Sequence, residues 1–256
     1  MSGRVNDFYA PSGLDGQTLY YYETDGPAWE PQSSGGNFLP LGPVGSGYYG
    51  PEISFGRAMT QLTEDPVALI KVSRGDTSLA THWNSRAADG ADLWELWKSE
   101  TVKALSALEV RGYEIQIESI LWLQGETDAL DAQDAANYGF RFGHLVSDML
   151  AHLGDSYDVS ETKFVTAGLG PLDEGLYPHA ATVTQAQEAV MEALDNGAFV
   201  DTSDLTLLDA VHFDRGSIDT LGLRYADAVH TPDGLGSRWA LAFGIAVVCF
   251  ASHRRL

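Results

Sequence analysis

Between Pro66 and Thr202, short apolar runs alternate with longer segments whose apolar residues recur at helical spacing. Few folds satisfy that order. Val67–Val72 (VALIKV) is a short, nearly continuous apolar run, as a strand buried on both faces of a sheet requires. Asp92–Arg111 carries Trp94, Trp97, Leu105 and Leu108 on one helical stripe, and Gly112 stops it. Ile115–Leu123 returns to strand character, and Asp131–Leu153 is helix-like and closes at Gly154. Lys163–Leu169 reads as a strand, Thr182–Leu194 as a helix ended by Asn196-Gly197, and Ala198–Thr202 as another strand. Strand and helix in this succession predict an α/β fold, a three-layer α/β/α sandwich around a central parallel sheet. The first 60 residues are rich in Gly, Pro, Ser and Tyr and read as long loops with little regular structure.

The 256 residues suffice for one sizeable domain, and 44% hydrophobic and 11% aromatic content fits a packed core. With 15 basic and 36 acidic residues the formal net charge is −21. Such a field repels nucleic-acid backbones and anionic membranes, so neither is expected as a partner. Cys249 is the only cysteine, which excludes an intrachain disulfide and a cysteine-type zinc site. No His/Asp/Glu cluster has metal-ligand spacing, and no metal or organic cofactor is expected; His144, His152, His179 and His230 stand singly. The opening MSGRVNDFYAPSG has no apolar h-region of a secretory signal, and the compartment stays open. Trp239–Ala251 (WALAFGIAVVCFA) is strongly apolar but shorter than the roughly 18–20 residues that span a bilayer, so it reads as a buried strand or helix.

Ligand sites of parallel α/β sheets lie outside the carboxyl ends of the strands, and three polar segments follow the expected strands there. Asp209-Ala210-Val211-His212 is a D-x-x-H pair, a spacing that lets a carboxylate fix the tautomer of an imidazole and stabilise its protonated form. Taken alone, so short and common a pair reads as an ordinary turn with a surface Asp and a half-buried His. Trp122–Asp128 (WLQGETD) places Gln124, Gly125 and Glu126 at a strand terminus, where one of them could help bind an oxyanion; the alternative is a turn with Thr127 or Asp128 capping the next helix. Ser73–Leu79 follows the first strand with Gly75, whose N–H could serve as an oxyanion donor or belong to a plain loop.

In combination, these segments resemble the sialate O-acetylesterase-like, acetylxylan esterase-related carbohydrate esterases of the SGNH hydrolase superfamily. The family's K-V-x-x-G-x-T-S-L, W-H-Q-G-E-S-D and D-x-x-H-F segments are similar to Lys71–Leu79, Trp122–Asp128 and Asp209–Phe213. Gly50–Gly56 (GPEISFG) resembles its GPE-x-x-FG segment, and Leu221–Ala226 its closing helix. The likeness covers roughly residues 1 to 228, leaving 229–256 as a C-terminal apolar extension that could pack on the same domain. It implies an SGNH/flavodoxin-like sheet and hydrolysis of O-acetyl esters on a sugar or polysaccharide by a Ser-His-Asp mechanism. His212 would be the general base and Asp209 its orienting carboxylate. Gly75 would donate to the oxyanion, and Gln124, Gly125 and Glu126 would shape the oxyanion and acetyl pocket. Leu123 stands where the family has His, and Thr127 where it has Ser.

A larger departure concerns the nucleophile. The family's serine lies in a G-Q-S-N segment after a first strand, typically continuing Met-Ser-Gly, and this sequence opens Met1-Ser2-Gly3-Arg4 as though just past it. That strand and serine would then be missing, leaving Ser2 and Ser252 as weak candidates. Three accounts follow: an internal methionine taken as the start, a truncation that lost hydrolysis, or a permutation in which Ala240–Phe250 fills the vacant strand position and brings Ser252 or His253 near the site. The alternative to an esterase is a carbohydrate-binding relative without turnover, with Tyr48, Tyr49 and Trp83 as aromatic faces for sugar rings.

Overall fold

A computed structural model describes residues 9–25, 31–44, 48–63, 65–230 and 243–252, the last of these by backbone alone. Regular structure starts earlier than the Gly- and Pro-rich opening suggests. Thr18–Asp25 (TLYYYETD) forms strand β1, and Glu52–Leu62 forms helix α1. In β1 the aromatic run outweighs the surrounding turn residues, because successive tyrosines of a strand serve opposite faces. Tyr20 enters the core on one side of the sheet and Tyr21 the core on the other. Two short strands, β2 (Pro31–Ser33) and β3 (Leu39–Pro40), pair with β1 antiparallel.

The other strands are parallel: β4 (Val67–Gly75), β5 (Ile115–Leu123), β6 (Lys163–Ala167), β7 (Gly197–Val200) and β8 (Phe243–Ser252). Across the sheet they run β2-β1-β4-β8-β5-β6-β7. One face is covered by α2 (Asp92–Val110), α3 (Ala132–Gly154) and α4 (Ala180–Glu192), packed on Ala68, Ile70, Val72, Ile120, Trp122 and Phe164. The other is covered by α1 and α5 (Arg215–His230), packed on Val67, Leu69, Leu121, Leu123 and Val165. Alternate residues of β4 and β5 therefore feed different cores, which is why apolar residues fill consecutive positions at Val67–Ile70 and Ile120–Leu123. The result is a three-layer α/β/α sandwich. Among the described residues no helix is long and apolar enough to cross a membrane.

The C-terminal apolar run contributes β8, which lies at the centre of the sheet. It pairs with β4 from Ala68↔Ile245 to Gly75↔Ser252, and with β5 from Ile115↔Phe243 to Leu123↔Phe250. Among the described residues, β8 therefore holds the position between β4 and β5.

The GPEISFG segment acts beneath the sheet. Glu52 is fully buried at the start of α1 and accepts hydrogen bonds from Lys71 Nζ (2.9 Å), Gly50 N–H (3.0 Å) and Tyr20 OH (3.3 Å). Lys71 is the one charged residue in the apolar run of β4, and Glu52 is its counter-ion. Removing one partner of such a buried pair typically costs about 3–5 kcal/mol. The same helix meets α5 at very close range. A Cβ on Gly222 would lie 2.0 Å from Ser54 Oγ and 2.3 Å from Pro51 O. Gly222→Ala should therefore push α5 off α1 and lower stability by about 1–3 kcal/mol, the usual cost of overpacking. Urea unfolding followed by tryptophan fluorescence measures this; an unchanged midpoint would mean the helices are not in contact there.

Candidate active site

The three polar segments all fall at the carboxyl ends of the parallel strands. Lys71–Leu79 runs through the end of β4, Trp122–Asp128 leaves β5, and Asp209–Phe213 lies between β7 and α5. At the D-x-x-H pair the spacing performs as its chemistry requires. Asp209 Oδ1 accepts the backbone N–H groups of Val211 (3.1 Å) and His212 (2.9 Å), closing a local turn. The two carboxylate oxygens also lie 2.9 and 3.0 Å from His212 Nδ1, and the imidazole is fully buried. Burial pushes the Asp209 carboxyl up, but the two backbone N–H groups and the imidazole outweigh it and hold the pKa at about 2. An ionised Asp209 assigns the Nδ1 proton to the shared hydrogen bond, so Nε2 is the atom placed to take a proton.

Tyr177 adds a buried phenol to this end of the sheet. It lies in the loop after β6, and its hydroxyl is pushed up to about 12, first by burial and then by the negative charges of Glu126, Asp209 and Asp76. Asp76 sits just past the end of β4 with φ 60°, the left-handed region that Asp tolerates better than most residues. Glu126 is 2% exposed, and its Oε1 has no hydrogen-bond partner among the described residues.

The segment after β5 is built differently from the expectation. Gln124 is fully buried and donates through Nε2 to Thr77 O (3.0 Å) and Asp128 Oδ2 (2.6 Å), so both amide protons are spent on the scaffold. Asp128 accepts from Leu79 N–H (2.8 Å) and Ala80 N–H (3.0 Å), tying the loop after β4 to the loop after β5. The cap of α3 is instead Asp131, which accepts from Gln133 N–H and Asp134 N–H. Gly125 has φ 146°, and a Cβ there would lie 2.7 Å from Val183 Cγ1, so only glycine fits this turn against α4. Gly75 N–H donates to Asp25 Oδ2 at 3.0 Å, and an oxyanion would have to take over that hydrogen bond.

Two of the three aromatic residues considered for sugar contact are core residues. Trp83 is fully buried, stands edge-on to Trp122 and donates to Thr77 Oγ1, while Tyr49 is buried between Tyr9 and the α1 side of the sheet. Tyr48 is half-buried. Sequence reasoning missed Tyr177, and also Tyr138 and Gln187, which hold the end of β5 through Gln124 O at 2.8 Å each. A glutamine and a tyrosine on otherwise apolar helix faces are the signal that could have found the last two. Among the described residues no group of three or more His, Cys, Asp or Glu is arranged to hold a metal ion. Ser252 ends β8 opposite Gly75; Ser2 and His253 lie outside the described residues.

Residues 40–231, about three quarters of the chain, match the family described as carbohydrate esterase, sialic acid-specific acetylesterase. The chain belongs to this family. Its members are carbohydrate acetylesterases, a class of carboxylic ester hydrolases. Solved structures agree on the fold. A protein from Arabidopsis thaliana is similar with a TM-score of 0.62 at 21% identity, covering 88% of this chain and 85% of its own. NanS matches with a TM-score of 0.62 at 14% identity, over 84% of this chain and 92% of its own. A carbohydrate acetylesterase from Xanthomonas citri matches with a TM-score of 0.58 at 18% identity, over 82% of this chain and 48% of its own. No curated protein sequence matches the chain.

In this carbohydrate-esterase chain the seat of His212 depends on its neighbour Phe213. Leu208 N–H donates to His212 O (2.7 Å), Leu207 bridges Phe213, and the fully buried Phe213 ring packs on Gly170. Gly170 has φ 80°, and a Cβ there would lie 2.5 Å from Phe213 Cε1. Gly170→Ala should displace Phe213 and His212 with it. A misplacement of about 1 Å can cost on the order of 10²-fold in rate. Ester hydrolysis by this variant should fall far more than its melting temperature does; equal activity in a folded variant would show that the ring does not set the position of His212.

Proposed function

We propose that this chain hydrolyses O-acetyl esters of a sugar or polysaccharide, with His212 as general base and Asp209 as its orienting carboxylate. The observation that carries the reading is the Asp209–His212 pair, formed at 2.9 Å at the carboxyl end of the sheet in a member of the carbohydrate acetylesterase family. Nδ1 is held by Asp209, so Nε2 takes the proton of the attacking hydroxyl and returns it to the sugar oxygen as the acetyl C–O bond breaks. The low pKa of Asp209 keeps it ionised at neutral pH, so it stabilises the imidazolium formed during each step. The chemistry requires no metal, since the developing charge on the carbonyl oxygen is of the kind that backbone N–H groups stabilise. Of the aromatic residues that could serve a relative that only binds sugars, Trp83 and Tyr49 are buried in the core.

Hydrolysis of p-nitrophenyl acetate tests this directly. His212→Ala should lose at least about 10³-fold in turnover, and Asp209→Asn, which supports the wrong tautomer, on the order of 10⁴-fold. Turnover that survives His212→Ala unchanged would remove the imidazole from the mechanism.

A further inference from the structure

Among the polar side chains that follow β5, Gln124 and Asp128 are committed to the scaffold. Tyr138 OH donates to Gln124 O at 2.8 Å and accepts from Trp122 Nε1 at 3.2 Å, and Gln187 Nε2 donates to the same carbonyl at 2.8 Å. Asp128 Oδ2 accepts from Gln124 Nε2 and Leu79 N–H, and its Oδ1 accepts from Ala80 N–H. One buried chain of hydrogen bonds thus runs from α4 through Tyr138 to the loop after β4, and both oxygens of Asp128 are engaged in it. Glu126 stands between these two residues, only 2% exposed, and its Oε1 has no partner among the described residues. A carboxylate oxygen is a strong acceptor, and one buried without a donor weakens the fold unless a ligand completes it.

The backbone that carries Glu126 is fixed. Gly125 holds φ 146°, and its carbonyl accepts Ala129 N–H at 2.9 Å. A Cβ on Gly125 would lie 3.1 Å from Leu169 Cδ2, and one on Gly170 would lie 2.5 Å from Phe213 Cε1. The turn that carries Glu126 and the turn that carries His212, the neighbour of Phe213, therefore lie against two successive residues of the loop after β6. Both are at the carboxyl end of the sheet, where parallel α/β folds bind their ligands.

We propose that Glu126 is a specificity-determining residue whose Oε1 accepts a hydrogen bond from a hydroxyl of the sugar that carries the acetyl ester. This rests on the reading of the site as an acetylesterase and extends it from the acetyl group to the alcohol side of the ester. The substrate class is a partly acetylated sugar that keeps an unacetylated hydroxyl near the ester. An ester without that hydroxyl leaves the buried oxygen unpaired in the complex, and the site rejects it for that reason.

The full chain should be assayed on 6-O-acetylglucose and on tetrahydropyran-2-ylmethyl acetate, which has the same ring without hydroxyls. The ratio of kcat/KM for the sugar ester to that for the bare-ring ester should be about tenfold or more. Glu126→Ala should lower this ratio by about tenfold, and Glu126→Gln, which keeps an acceptor oxygen, should restore part of it. A purely structural role would slow both esters and leave the ratio unmoved. A measurement on the unaltered chain does not depend on how the variants fold: among the three monodeoxy analogues of 6-O-acetylglucose that lack one ring hydroxyl at C2, C3 or C4, the loss should fall mainly on one. A ratio near one in the unaltered chain, a loss spread evenly over the three analogues, or a ratio that neither substitution moves would overturn the role of Glu126. Turnover that still depends on His212 would in each case leave the esterase reading standing. No turnover of either ester would overturn both.

Discussion

Strands β4 and β5 meet through β8, which pairs with each of them along most of its length. The two halves of the sheet are thus joined by one ladder on each side of a single strand. The inner edges of β4 and β5 carry buried backbone N–H and C=O groups, and leaving such a group without a partner costs roughly 1–3 kcal/mol. The registers also align the ends of three strands, so that Gly75 and Ser252 stand level and Leu123 and Phe250 stand level two residues behind. The loops that carry Asp76 and Glu126 consequently start from a common edge.

A second set of contacts holds those loops once the strands are aligned. Asp128 grips the backbone at Leu79 and Ala80, Gln124 reaches Thr77 O, and Trp83 stands against Trp122. Burial pushes the Asp128 carboxyl up, although three hydrogen bonds act against that rise. Gln124 and Asp128 thereby brace the loops at this end of the sheet. The turn of Asp209 and His212 is packed from below by Phe213 and Gly170.

Much of this is legible in the sequence where periodicity and length agree. The strands at Val67 and Ile115 and the helices at Asp92 and Asp131 fall within a residue or a few of their observed bounds, because buried parallel strands and amphipathic helices have distinct periods. The Asp209–His212 contact is legible too, since three residues is a distance at which one turn brings carboxylate and imidazole together. Strand β1 and helix α1 are hidden by glycines and prolines that punctuate their neighbours without entering β1. The roles of Gln124 and Gly75 are not legible for a different reason: a polar residue at a strand end can face a cleft or a neighbouring loop, and only the tertiary partners, Asp128 and Asp25, decide it. The central place of β8 is only one of three arrangements that the sequence allows, because apolar content reports burial and says nothing of which strands are neighbours.

Cys249 gives the most direct test of that central place. It is the only cysteine in the chain, and its backbone lies in β8 level with Val72 and Trp122, in the middle of a sheet covered by helices on both faces. A strand in that position is shielded from solvent along its length. The rate at which a thiol reagent such as 5,5′-dithiobis(2-nitrobenzoic acid) labels Cys249 should be compared in buffer and in denaturant. The account predicts labelling slower by orders of magnitude in buffer, with full reactivity appearing only through the unfolding transition. Labelling of the folded protein at the rate of a free thiol would contradict it and remove β8 from the centre of the sheet.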